Sequence, residues 1–170
     1  YGSSTLRLWK EAKTDLGIPH LSNLAFGGAT IAACQAFSER LLTTRTTNGK
    51  IIIYAGDNDL GSGLSVSEVI RDYKNFLITV TELLPNFEVL VISIKPCPFR
   101  RHLRKEIEEV NFWLEKYINN NENWSFIDIH SSMLDAYGEN KNAFYSDDPL
   151  HMNDVGYALL GKKVRMSLNS

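Results

Sequence analysis

The sequence predicts an α/β protein, a three-layer α/β/α sandwich around a central parallel sheet. Two observations carry that expectation. Short apolar runs alternate with amphipathic stretches in the order strand, helix, strand, helix. In addition, Ile51-Ile52-Ile53-Tyr54-Ala55 shows no polar alternation, the pattern of a strand covered by helices on both faces. Parallel strands of this kind are joined by right-handed crossovers. Ligands then bind beyond the carboxyl ends of the strands, so the loops there are where function is sought.

The elements follow in order. Tyr1-Gly2 reads as the end of a strand whose body lies upstream of residue 1, which brings the expected sheet to about five strands. Thr5 to Leu16 is predicted as one helix, with Leu6, Trp9, Ala12 and Leu16 at three- and four-residue spacing and Gly17 and Pro19 as stops. Ser3 or Ser4 stands at its N-cap. His20 to Phe26 is predicted as a short strand ending in Gly27-Gly28, where a backbone N–H can approach a ligand closely. Thr30 caps a helix from Ile31 to Leu42.

Lys50 to Ala55 is the strand noted above, and it ends in Gly56-Asp57-Asn58-Asp59. Ser65-Val66-Ser67-Glu68 has capping-box spacing and opens a long helix. Phe87 to Ile94 is the next strand, followed by Lys95-Pro96-Cys97-Pro98, a loop that two prolines stiffen. Arg100, Arg101, His102, Arg104 and Lys105 form a basic cluster at the start of a helix over Leu103 to Ile118. Such clusters are ordinarily solvated. Trp124 to Ile129 is the last strand. Asn153 or Asp154 caps the final helix.

Composition narrows the function. The chain has 170 residues, 44% hydrophobic and 22% charged, which suits one globular domain over residues 1–170. Its net charge of −2 implies no basic face and therefore no nucleic-acid partner. No apolar run approaches the roughly 18 residues of a membrane span. Cys34 and Cys97 have neither a disulfide-scaffold density nor metal-ligand spacing and read as buried free thiols. No metal or cofactor is expected.

The post-strand loops, with the loop before the last helix, converge on one edge of such a sheet. They bring hydroxyls at Ser3 and Ser4, a glycine N–H at Gly28, an amide at Asn58 and an Asp148-x-x-His151 pair. That is an inventory for nucleophilic acyl transfer: a hydroxyl, a base, a carboxylate to orient the base, and donors for an oxyanion. No Gly-x-Ser-x-Gly elbow of the α/β-hydrolase type occurs.

Four blocks in order resemble the SGNH (GDSL-type) hydrolases. Gly2-Ser3-Ser4-Thr5-Leu6 resembles the Gly-Asp-Ser-Ile/Leu block, with Ser3 where that family usually has Asp. Asn23 to Thr30 resembles the Asn-x-Gly-x-x-Gly-x-Thr block, with Ala25 in place of the first glycine. Gly56-Asp57-Asn58-Asp59 matches Gly-x-Asn-Asp, and Asp148-Pro149-Leu150-His151 matches Asp-x-x-His. The resemblance covers nearly the whole chain and implies a flavodoxin-like parallel sheet. It makes Ser4 the nucleophile, His151 the base and Asp148 its orienter. It gives the oxyanion role to the N–H groups of Ser4 and Gly28 and to the Asn58 amide.

What the resemblance implies is a serine esterase acting on a small-molecule acyl ester. The chain shows no long apolar lid, so a short acyl or acetyl ester, sugar-linked or lipid, is preferred. Tyr54, Phe99, Arg100 and Tyr145 are candidate pocket residues by position. Asp57 and Asp59 read as loop anchors, and His20, His102 and His130 as non-catalytic. Three other readings fit parts of the same residues. A receiver-type signalling module would use Asp57 and Lys95, but no acidic pair follows the first strand. A metal-dependent hydrolase would use Asp57, Asp59, Asp148 and His151, but leaves Ser4 and Gly28 without a task. A non-catalytic ligand- or carbohydrate-binding protein would keep the same site without turnover.

Overall fold

The computed structural model describes residues 1–42 and 47–169. Its sheet is parallel, with strands β1 (Gly49–Ile53), β2 (Phe87–Ile92) and β3 (Trp124–Ile127) in the order β1-β2-β3. Ile51 stands opposite Val89 and Ile53 opposite Val91, while Val91 in turn faces Phe126. Each strand feeds both faces of the sheet, as a run without polar alternation requires. Ile51, Ile53, Val89 and Val91 join one apolar core, and Tyr54, Leu90, Ile92 and Ile127 join the other.

Helices cover both faces. The first core is closed by α3 (Ile31–Leu41), α5 (Val66–Leu83) and α6 (Arg104–Asn119); the second by α1 (Ser4–Arg7), α2 (Ala12–Leu16) and α7 (Asp154–Leu168). A further short helix, α4 (Asp57–Gly61), follows β1. The three-layer α/β/α architecture is therefore as expected. Among the described residues, no helix is long and apolar enough to cross a membrane.

Local capping chemistry set several boundaries. Ser65 Oγ accepts from Glu68 N–H while Glu68 accepts from Ser65 N–H, a complete capping box at the start of α5. Thr30 Oγ1 accepts from Ala33 N–H and Asn153 Oδ1 from Gly156 N–H, opening α3 and α7. Each satisfies a donor that the first helical turn leaves unpaired.

Three expectations need correction. The sheet has three described strands rather than about five. Residues 1–3 do behave as a strand end: Tyr54 N–H donates to Tyr1 O and Ser3 N–H to Tyr54 O, around a parallel bridge between Gly2 and Tyr54. Gly2 sits at φ +142, and a Cβ there would lie 1.9 Å from Tyr54 O, so only glycine fits this approach.

The stretch His20 to Phe26 forms no strand. Asn23 diverts the local hydrogen bonding: its Nδ2 donates to Leu6 O and its Oδ1 accepts from Ala25 N–H. A side chain that satisfies neighbouring backbone in this way competes with a ladder. One bond remains to the strand end, from Phe26 N–H to Gly2 O at 2.9 Å.

The helix expected over Thr5 to Leu16 is broken into α1 and α2. The intervening Trp9 is buried, its indole N–H donates to Asp15 Oδ2 at 2.6 Å, and its ring stacks on Tyr157 of α7. Seating the indole there replaces helical bonds with tight turns such as Lys10 N–H to Leu8 O. Packing overrides the local period.

Candidate active site

Ser3 and Ser4 are separated by their environments. Ser3 is the N-cap of α1, yet its hydroxyl makes no capping bond and is fully buried. Ser4 opens the helix, and its Oγ lies 3.1 Å from His151 Nε2. His151 Nδ1 lies 2.5 Å from Asp148 Oδ2. The hydroxyl, imidazole and carboxylate thus form one continuous hydrogen-bonded chain across 147 residues of sequence separation. Such a chain can pass a proton from hydroxyl to ring while the carboxylate holds the ring's orientation.

The loop before α7 is folded to present that pair. Asp148 Oδ1 accepts from Leu150 N–H at 2.8 Å, so one carboxylate oxygen shapes the turn while the other meets the ring. The His151 ring first, and the Leu150 N–H after it, hold the Asp148 carboxyl below its usual range. Phe99 N–H donates to Pro149 O at 3.2 Å. Lys95, only 1% exposed, donates from Nζ to Leu150 O at 2.6 Å. Sequence reasoning gave Lys95 no part in this site, because no spacing rule ties a residue after β2 to a loop 55 residues later.

The loops of residues 27–30 and 56–61 meet through Asn58 and Ala29, and each follows a residue, Phe26 or Tyr54, that is bonded to the strand end before Ser4. Gly28 takes φ +70, a left-handed conformation that favours glycine. Among the described residues, neither Gly28 N–H nor Ser4 N–H donates to a backbone carbonyl. Asn58 Nδ2 donates to Ala29 O at 3.0 Å, which uses one of its two hydrogens and ties the amide to the residue after Gly28. Asp59 Oδ1 accepts from Ile31 N–H at 2.9 Å. Desolvation of this fully buried carboxyl pushes its pKa up to about 6 from the usual 3.8, against the opposing pull of the Ile31 N–H. Asp57 pairs with Arg100, Nη1 to Oδ2 at 3.0 Å. Both aspartates thus serve as anchors. With their carboxylates engaged in this way, the metal-site alternative is not favoured.

The four candidate pocket residues divide. Phe99 is exposed beside the Asp148–His151 loop and stays a candidate wall. Tyr54 is a correction: it lies in the core with no exposed surface, where its hydroxyl accepts from Lys95 N–H. Tyr145 is a second, since its side chain is buried and its hydroxyl donates to Pro96 O. Position along the chain placed both near the loops, but strand and bridge pleating turned them inward. Arg100 is a third. Its side chain is buried between Asp57 and Asn58, and the space it lines is a small cavity shared with Pro96, Cys97 and His130 rather than a wall beside Phe99. Arg101 and Arg104, from the same basic cluster, pair at the surface with Glu139 and Glu108.

Of the remaining histidines, His130 is buried and desolvation lowers its pKa; it takes no part in the Ser4 chain. Cys34 and Cys97 are free and buried. Among the described residues, no group of three or more His, Cys, Asp or Glu side chains is placed to hold a metal ion.

Fold and site together define an α/β/α hydrolase of the SGNH superfamily. The GDSL-like lipase/acylhydrolase family model matches residues 4–159, and the chain belongs to that family, whose members act generally as ester hydrolases. No curated protein sequence matches the chain. Solved structures share the fold at low identity. A GDSL-like lipase from Bacteroides thetaiotaomicron superposes with TM-score 0.82 at 16% identity, over 99% of this chain and 85% of that one. A lipolytic G-D-S-L family member from Veillonella parvula gives 0.79 at 20% identity, covering 99% and 95%. The OSK domain of Drosophila Oskar gives 0.80 at 18%, covering 99% and 86%.

Proposed function

We propose that this protein is a serine esterase that cleaves carboxylic esters through an acyl-enzyme on Ser4. The observation that carries this reading is the unbroken chain from Ser4 Oγ through His151 to Asp148, with contacts of 3.1 and 2.5 Å. Ser4 Oγ attacks the ester carbonyl as His151 Nε2 takes its proton. The tetrahedral oxyanion is met by the N–H groups of Ser4 and Gly28 and by the second N–H of Asn58. Collapse expels the alcohol, which receives the proton from His151. Water then enters, gives its proton to His151 and attacks the acyl carbonyl, releasing the acid and restoring Ser4.

A short acyl or acetyl group is the preferred substrate. His151 and Asp148 are reached from solvent, and the exposed Phe99, whose N–H is bonded to Pro149 O, offers apolar surface beside their loop. The test is hydrolysis of p-nitrophenyl acetate, butyrate and decanoate by the native chain and by Ser4→Ala. The native chain is expected to favour the short esters and the variant to lose at least about 10⁴-fold in kcat. Turnover retained in Ser4→Ala would refute the reading.

A further inference from the structure

The oxyanion role proposed for Asn58 depends on which end of its side-chain amide faces the reacting centre. The carbonyl and amino ends are nearly the same in shape, so a half-turn about the terminal bond exchanges a donor for an acceptor with little change in packing. A donor held by its own torsional preference alone would therefore be unreliable. The structure contains a device that removes this ambiguity.

Arg100 Nη2 donates to Asn58 Oδ1 at 3.0 Å. A guanidinium carries only donors, so whichever end of the amide meets it must be the oxygen. The nitrogen is thereby turned toward the opposite side, where Ala29 O accepts from it at 3.0 Å. One contact selects the oxygen end and the other selects the nitrogen end, and both choose the same orientation. The second Nδ2 hydrogen is left for a ligand.

Arg100 is itself held. Its Nη1 pairs with Asp57 Oδ2 at 3.0 Å, and the two side chains are 10% and 5% exposed. The guanidinium also lies against the end of α4, where a Cβ on Gly61 would come within 2.6 Å of Arg100 Nε. The absence of a side chain at Gly61 makes the room. A desolvated ion pair of this kind adds little to stability by itself, so its placement is better explained by what it orients.

We infer that Arg100 is a positioning residue that fixes the Asn58 amide with its nitrogen toward the oxyanion, held in place by Asp57 and admitted by Gly61. This rests on the esterase reading for its catalytic consequence but not for its geometry. A guanidinium bonded to the amide oxygen also draws electron density from the nitrogen and strengthens the N–H donor that remains.

The test has two arms. In the first, the side-chain amide of Asn58 is followed by ¹H–¹⁵N NMR, its signals identified by their loss in Asn58→Asp. Arg100→Met is expected to shift both signals and to raise their exchange with solvent at least tenfold. Unchanged signals and exchange would overturn the inference, whatever the protein's activity. In the second, p-nitrophenyl acetate turnover is measured for Arg100→Met, Asn58→Ala and the double variant. Arg100→Met is expected to lower kcat by about 10- to 100-fold with KM within about threefold, and to have less than a twofold effect once Asn58 is Ala. Equal losses in both backgrounds, or a rise in KM alone, would overturn it. Arg100→Lys keeps the charge beside Asp57 but not the fork, and carries the same two readings if Arg100→Met does not fold. A native chain that hydrolyses no ester would count against the esterase reading, while the NMR arm would still decide the inference.

Discussion

Lys95 Nζ donates to the Leu150 carbonyl at 2.6 Å, so a buried side chain just beyond β2 grips the peptide immediately before His151. Together with the bond from Phe99 N–H to Pro149 O, it fixes two successive carbonyls of the loop that carries Asp148 and His151. Lys95→Met removes one grip without touching the Ser4 chain. The expected result is a fall of about 10- to 100-fold in kcat/KM, the size of effect that a misplacement near 1 Å produces. Steady-state kinetics beside a thermal melt checks it. Full activity in a folded variant would show that Phe99 alone suffices.

Asn58→Asp separates donor chemistry from shape. An ionised carboxylate at position 58 can still accept from Arg100, but it sets an acceptor against Ala29 O where the amide had a donor. It cannot donate to an oxyanion. A loss of about 10²–10³ in kcat is expected, with a folded variant whose melting temperature is lowered by the lost bond to Ala29 O. Activity within a few-fold of native would remove Asn58 from the oxyanion site.

Asp148→Asn tests the orienting carboxylate. In the folded state the His151 ring and Leu150 N–H hold the Asp148 carboxyl below its usual range. Its stabilising contribution is thus present above the unfolded value, and is lost as pH falls through the folded one. Asn at this position presents an amide to the ring and weakens control of its tautomer. Because Asp148 is half-exposed, the loss in kcat is expected to be about 10²–10³, smaller than the roughly 10⁴ known for a buried orienter.

Asp59→Asn has a pH signature of opposite sign. Burial raises the Asp59 carboxyl to about 6 from 3.8, so the folded state binds more protons than the unfolded state between those values. Stability conferred by this group declines as pH rises through that window and is constant above it. The variant retains an acceptor for Ile31 N–H and no longer ionises. Its stability relative to the native chain is expected to rise by roughly 2 kcal/mol from pH 4 to pH 7. Urea melts at intervals of one pH unit check this. A relative fall over the same range would show that the Ile31 bond outweighs desolvation.

Much of this arrangement was legible from local chemistry. The run Ile51 to Ala55 can be stable only between two apolar layers, and Ser65, Thr30 and Asn153 cap helices because their own oxygens reach the donors three residues on. The candidate residues Ser4, Gly28, Asn58, Asp148 and His151 were found because each sits where a strand, turn or cap must end, and because four short blocks resemble one family in order. Periodicity could not decide elements whose path is set from a distance. Trp9 leaves the helical track to stack on Tyr157, and Asn23 spends its side chain on the backbone that a strand would need.

The amino-acid sequence by itself determined the layer architecture, the main helices and the chemical inventory of the site, since apolar period and capping act over a few residues. Tertiary structure separated Ser4 from Ser3, which the sequence distinguishes only by resemblance, by bringing His151 to one hydroxyl and burying the other. It alone turned Tyr54 and Tyr145 inward, set Lys95 beneath the His151 loop, and placed Arg100 between Asp57 and Asn58. Those choices join residues tens of positions apart, and no local rule reaches that far. They depend on which side chains share the space above the ends of the sheet.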